Sequence, residues 1–94
     1  MFEIRAGEKG VVHVSGRLDA ARAEDALGRL NGFEGPMTLD CSGLEYISSA
    51  GLSVLLVTYK RLRSSGHPFK VVNLQPNVRN VLVYAGFHRL LEIE

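Results

Sequence analysis

A chain of 94 residues in which 46 % are apolar or aromatic is expected to fold as one domain, residues 1–94, with a core of its own. Its 11 Lys and Arg stand against 10 Asp and Glu, and no basic run is interleaved with aromatics, so neither a nucleic-acid footprint nor a membrane-binding face stands out. One cysteine, Cys41, excludes an internal disulfide and a thiolate zinc cluster. No stretch reaches the ~18 apolar residues of a membrane-spanning helix, and no basic segment followed by an apolar run opens the chain. The expectation is a soluble cytoplasmic protein with no membrane insertion.

Residues 1–5 alternate, with Phe2 and Ile4 on one face, and the turn at 6–10 leads back into a second strand over 11–15, a hairpin. His13 lies inside that strand with no second histidine at ligand spacing, so it reads as a strand-face side chain rather than a metal ligand. Gly16-Arg17-Leu18-Asp19 follows. Asp19 is placed to cap a helix in which Ala23, Ala26, Leu27 and Leu30 share a face until Asn31-Gly32 stops it.

Residues 36–41 give a short strand, with Met37, Leu39 and Cys41 on one side and Thr38 and Asp40 on the other. Asp40 is expected at its carboxyl end, and Cys41 as a small core residue. A polar loop over 40–49 then leads into a long helix over 50–64, in which Leu52, Leu55, Leu56, Tyr59 and Leu62 recur at helical spacing. Lys60, Arg61 and Arg63 suit the negative end of that helix's dipole, and Ser64-Ser65-Gly66 stops it. A further strand over 69–73 precedes a helix opened by Gln75 and Pro76, with Val78, Val81, Leu82 and Ala85 inward and Gly86 at its end, and a strand over 90–93 closes the chain. The order β-β-α-β-α-β-α-β predicts an α/β fold. Strands separated by a helix run parallel through right-handed crossovers, and the hairpin adds the antiparallel pair of a mixed, mostly parallel sheet.

Ser48 and Ser49 stand where the long helix begins. A serine there is a natural N-cap, and the same place, with its unpaired N–H groups and positive dipole end, accommodates a phosphate or other anion. The loop before it lies at the strand edge where ligands and partners of open α/β sheets tend to bind. Catalysis has little to stand on. There is no phosphate-cradling glycine loop, no dinucleotide fingerprint, no nucleophile elbow and no zinc-protease motif, the histidines His13, His67 and His88 are scattered, and nothing marks a base for Ser49. The expectation is a protein that is not an enzyme and needs no cofactor.

Two stretches, Gly16-Arg17-Leu18-Asp19 and Leu39-Asp40-Cys41-Ser42-Gly43-Leu44 running on through Tyr46-Ile47-Ser48-Ser49-Ala50-Gly51-Leu52, resemble the STAS family, and within it the small bacterial anti-sigma-factor antagonists. The resemblance covers nearly the whole chain and implies a STAS fold. It also implies a partner-switching regulator of transcription. The antagonist binds an ATP-dependent serine kinase that doubles as the anti-sigma factor, phosphorylation by the kinase ends that binding, and a PP2C-like phosphatase restores it. Laid on this chain, the family's Asp-Ser-Ser-Gly-Leu-like run puts the phosphate acceptor at Ser49, with Ser48 as second choice and standing where the family has aspartate. Asp19, Asp40, Ser48, Ser49, Gly51 and Leu52 are then expected on the partner-binding surface. The alternative use of the same fold is a non-phosphorylated subunit docked on a transporter ATPase or within a larger signalling complex.

Overall fold

The computed structural model describes residues 2–94; Met1, which the sequence places at the start of the first strand, lies outside them. The elements run β1 (Phe2–Ala6), β2 (Val11–Leu18), α1 (Ala20–Leu30), β3 (Met37–Ile47), α2 (Ser49–Ser64), β4 (Phe69–Val72), α3 (Pro76–Tyr84), a 3-10 turn (Phe87–Arg89) and β5 (Glu92–Ile93). The expected order of strands and helices is the one found. The five strands lie in sequence order, β1 antiparallel to β2 and every later neighbour parallel. Each parallel pair is joined through a helix, and crossovers of one hand that step in one direction place their helices on one face of the sheet. Burial agrees: Val12, Val14, Leu39 and Val71 are buried beneath the helices, while His13, Asp40, Lys70 and Val72 on the opposite face are half-exposed.

The sequence expectation fails most instructively at β3. It does not end at Cys41 and give way to a loop; it continues to Ile47 beside β2. Its buried residues are Met37, Leu39 and Cys41 at strand spacing, then Leu44 and Ile47 at steps of three. Each step of three inserts one extra residue, and β2 registers both: Val12 pairs with Leu39, Gly16 with Leu44 and Leu18 with Ile47, with shifts between His13 and Ser15 and between Gly16 and Arg17. These are two β-bulges, which keep the apolar side chains inward while the strand bends. Gly43 sits at the first, where a Cβ would stand 2.8 Å from the Ser15 Cβ.

β4 pairs with β3 only from Met37 to Asp40. Beyond that rung the open edge of β3 is closed by amide side chains from the segment after β4. Gln75 Nε2 donates to the Ser42 carbonyl at 3.0 Å and Asn77 Nδ2 to the Glu45 carbonyl at 2.8 Å. These two bonds, both exposed, fix the amino end of α3 against β3. The consequence for α3 is that only Val78 and Leu82 are buried; Val81 and Ala85, expected inward, are exposed. The closing strand is also shorter than expected, because Phe87–Arg89 first makes a 3-10 turn after Gly86, whose φ of 82° is the left-handed conformation glycine favours.

α1 ends where Asn31-Gly32 predicts, and it is tied to α2 there. Arg61 donates to the Leu30 and Phe33 carbonyls, both at 3.0 Å, so this cation serves the carboxyl end of α1 as well as that of its own helix.

Candidate functional site

The carboxyl ends of β2 and β3 lie side by side, and each hands over to a helix. Leu18 pairs with Ile47, so the next residues, Asp19 and Ser48, become the N-caps of α1 and α2 as close neighbours. The Ser48 N–H donates to the Leu18 carbonyl at 3.0 Å and locks the two junctions together.

Accounting for the four N–H groups that open α2 separates its two serines. That of Ser48 goes to Leu18, and that of Gly51 goes to Ser48 Oγ at 3.3 Å; those of Ser49 and Ala50 have no partner among the described residues. Ser48 is therefore the cap, half-buried, with its hydroxyl in use. Ser49 is the first residue of the helix and exposed. Its hydroxyl makes no hydrogen bond among the described residues, while its carbonyl accepts from Ser53 Oγ at 3.3 Å. No acidic residue of α2 itself lies in its first turn to offset the positive end of its dipole.

Gly51 and Leu52 are set inward of this surface. Gly51 is buried, and a Cβ there would stand 2.7 Å from the Leu18 carbonyl oxygen and 2.7 Å from Ile47 Cγ1, so the glycine lets α2 start tight against the end of β2. Leu52 packs half-buried against the core.

Asp19 behaves otherwise than the sequence suggests. It occupies the N-cap of α1, yet its side chain makes no cap hydrogen bond, and one carboxylate oxygen is buried without a partner among the described residues.

Asp40 is neither at the end of a strand nor beside Ser49. It lies within β3, where the Ser42 N–H donates to Oδ1 at 3.0 Å and Asn73 Nδ2 donates to the same oxygen at 3.3 Å, and His13 Nδ1 lies 3.2 Å from Oδ2. Burial pushes this carboxyl up, but the Ser42 amide, Asn73 and His13 outweigh it and hold it below the ordinary carboxylate value. The cluster fastens β2, β3 and the end of β4 together. Next to it, burial and the Asp40 charge push the Cys41 thiol up to about 12, so it stays protonated, a core residue as expected.

The contact that sequence reasoning missed is two rungs before the caps. Arg17 lies over the ring of Tyr46, its guanidinium carbon 4.1 Å from the ring centroid, a stack worth about 0.5–1 kcal/mol where exposed. The only signal was that both residues belong to the two motif stretches; their pairing depends on the bulges. Among the described residues no group of three His, Cys, Asp or Glu is placed to hold a metal ion, and no helix is long and apolar enough to cross a membrane.

The family model described as the MlaB STAS domain matches residues 1–92. This chain belongs to the STAS family. It is 35 % identical over 78 residues to BtrV of Bordetella bronchiseptica, named for anti-sigma-factor antagonism, a match spanning 79 % of this chain and 67 % of that one. Among solved structures, the Thermotoga maritima protein described as an anti-sigma factor antagonist superposes with a TM-score of 0.81 at 25 % identity, over 98 % of this chain and 84 % of that one. SpoIIAA of Bacillus shares the fold at 17 % identity, with TM-scores of 0.74 for its unphosphorylated form and 0.72 for its phosphorylated form, over the whole of this chain and 87 % and 91 % of theirs. The STAS fold is thereby shown, and with it membership of a family whose named relatives are anti-sigma-factor antagonists.

Proposed function

We propose that this single STAS domain is a cytoplasmic anti-sigma-factor antagonist that binds an ATP-dependent serine-kinase anti-sigma factor and is released when Ser49 is phosphorylated, a PP2C-like phosphatase resetting it. It acts through protein contacts, without touching nucleic acid. The observation that carries this reading is the division of labour between the serines: Ser48 is spent on the cap, and Ser49 offers a free, exposed hydroxyl on the first turn of a helix.

The switch then follows from charge. A phosphate on Ser49 brings about −1.5 to −2 charge and three acceptor oxygens to a helix whose own first turn has no acidic residue and, among the described residues, two unpartnered N–H groups, so the fold tolerates it. A partner surface shaped around a small neutral hydroxyl meets a bulky dianion instead, and any carboxylate opposite it adds repulsion of several kcal/mol. Binding is lost while the domain stays folded.

Titration of the recombinant kinase with Ser49→Asp and Ser49→Ala variants tests this. Ser49→Asp should bind at least about tenfold more weakly, and Ser49→Ala should bind like the unmodified protein and fail to dissociate on addition of Mg-ATP. Equal affinity of Ser49→Asp and wild type would refute the switch.

Ser48 in place of the family's aspartate favours a second reading, in which the same surface is a permanent contact on a transporter ATPase or a larger complex. Co-purification separates the two: a partner held regardless of ATP supports the subunit, and one lost on addition of ATP supports the switch.

A further inference from the structure

The second bulge of β3 changes what Arg17 faces. Between the two bulges Ser15 pairs with Gly43 and Gly16 with Leu44, and continuing that offset would set Arg17 opposite Glu45, a cross-strand ion pair. The shift between Gly16 and Arg17 sets it opposite Tyr46 instead, and the guanidinium lies on the ring at 4.1 Å. Arg17 and Tyr46 are both exposed, Tyr46 at 37 %, and among the described residues Arg17 makes no ion pair and no side-chain hydrogen bond. Asp19, the other acid close by, has an oxygen buried away from solvent. The fold thus presents a cation with its internal counter-charge moved off its rung.

A guanidinium held flat on an aromatic ring keeps its N–H edge free. That edge is the fork that takes a carboxylate by two parallel hydrogen bonds, and the stacking has already removed much of the side chain's freedom, so less is lost on binding. Location adds to this. Ser49 is three residues beyond Tyr46, so their Cα atoms are at most ~11 Å apart. A standard interface covers ~800 Å² on each partner, a patch of roughly 16 Å radius, so one centred on Ser49 takes in the stacked pair. Arg and Tyr are also the residue types that carry most of the binding energy in such patches.

We propose that Arg17, stacked on Tyr46, is the anchor that receives an Asp or Glu side chain of the serine-kinase partner when Ser49 is unmodified. This rests on the antagonist reading above and adds the charge that the partner must present. The bulge makes the anchor, by taking Arg17 from Glu45 and giving it to the partner.

The test is titration of the recombinant kinase anti-sigma factor of the same host with Arg17→Gln, Arg17→Glu and Ser49→Asp variants, each shown by thermal unfolding to be folded. Arg17→Gln should weaken binding about tenfold and Arg17→Glu about a hundredfold, and an Asp or Glu to Arg change at the contacting kinase position should restore binding to Arg17→Glu alone. If Ser49→Asp weakens binding while Arg17→Glu stays within about twofold of wild type, the anchor is wrong and the switch stands. A loss on Arg17→Glu that requires ATP and vanishes with ADP would assign the received group to the nucleotide and overturn the carboxylate. If the kinase does not bind the wild-type chain, the antagonist reading falls and the anchor with it.

Discussion

Replacing each serine at the start of α2 in turn should separate a structural hydroxyl from a free one. Ser48→Ala removes the acceptor for the Gly51 N–H at 3.3 Å, the contact that caps α2. Losing a serine cap costs about 0.5–2 kcal/mol, and for a domain of this size 1 kcal/mol moves the unfolding midpoint by roughly 4–8 °C. The expected fall in Tm is therefore about 4–8 °C for a mid-range cap. Ser48→Asp should at least hold stability, because a carboxylate also caps and adds a favourable charge of about 0.3–1 kcal/mol at the dipole's positive end. Ser49→Ala removes a hydroxyl with no hydrogen bond at an exposed position, and should stay within about 0.5 kcal/mol of wild type. Thermal unfolding followed by circular dichroism at neutral pH, with each midpoint checked by urea titration, reads all three. A Ser49→Ala loss as large as that of Ser48→Ala would refute the assignment of the cap to Ser48 and of the free hydroxyl to Ser49.

Gly51→Ala gains about 1 kcal/mol of helix propensity but drives a Cβ to within 2.7 Å of the Leu18 carbonyl oxygen, which also accepts from Ser48. Overpacking and strain of that junction should win, for a net loss of about 1–2 kcal/mol in urea unfolding; a stabilised variant would contradict the close approach. Asp40→Asn tests the cluster on the open sheet face through pH. The folded carboxyl lies below its ordinary value, so its contribution is complete above the unfolded pKa and is lost as pH falls through the folded one. Stability of Asp40→Asn should accordingly depend less on pH than that of wild type as pH falls below about 4, and equal slopes would contradict the cluster.

Much of this fold is written locally. Asp19 and Asn31-Gly32 mark the ends of α1, Gln75-Pro76 and Gly86 bracket α3, and the alternation of Val12 and Val14 with Leu39 and Cys41 announces neighbouring strands. What escaped is what depends on a neighbour. Leu44 and Ile47 follow Cys41 at steps of three, a spacing foreign to a regular strand, and only pairing with β2 makes it two bulges rather than a loop. Val81 and Ala85 fit a helical stripe, yet Gln75 and Asn77 tilt the burial of α3 toward Val78 and Leu82 by fastening its first turn to β3. Arg61 was adequately explained by the dipole of its own helix, and its bonds to Leu30 and Phe33 cross about thirty residues of chain. The site shows the same division. The serines were legible from cap chemistry, but which of them caps was settled by the Leu18 and Gly51 contacts, and Asp40 proved to be a fastening within the sheet.

The most direct test of the switch is fragment mass spectrometry of the purified chain after incubation with Mg-ATP and the host's serine-kinase anti-sigma factor. A single phosphate on Ser49, absent when the Ser49→Ala variant is used, is the result this account predicts. No phosphate on the chain while the same kinase preparation modifies a known substrate, or a phosphate on Ser48 with Ser49 untouched, would contradict it.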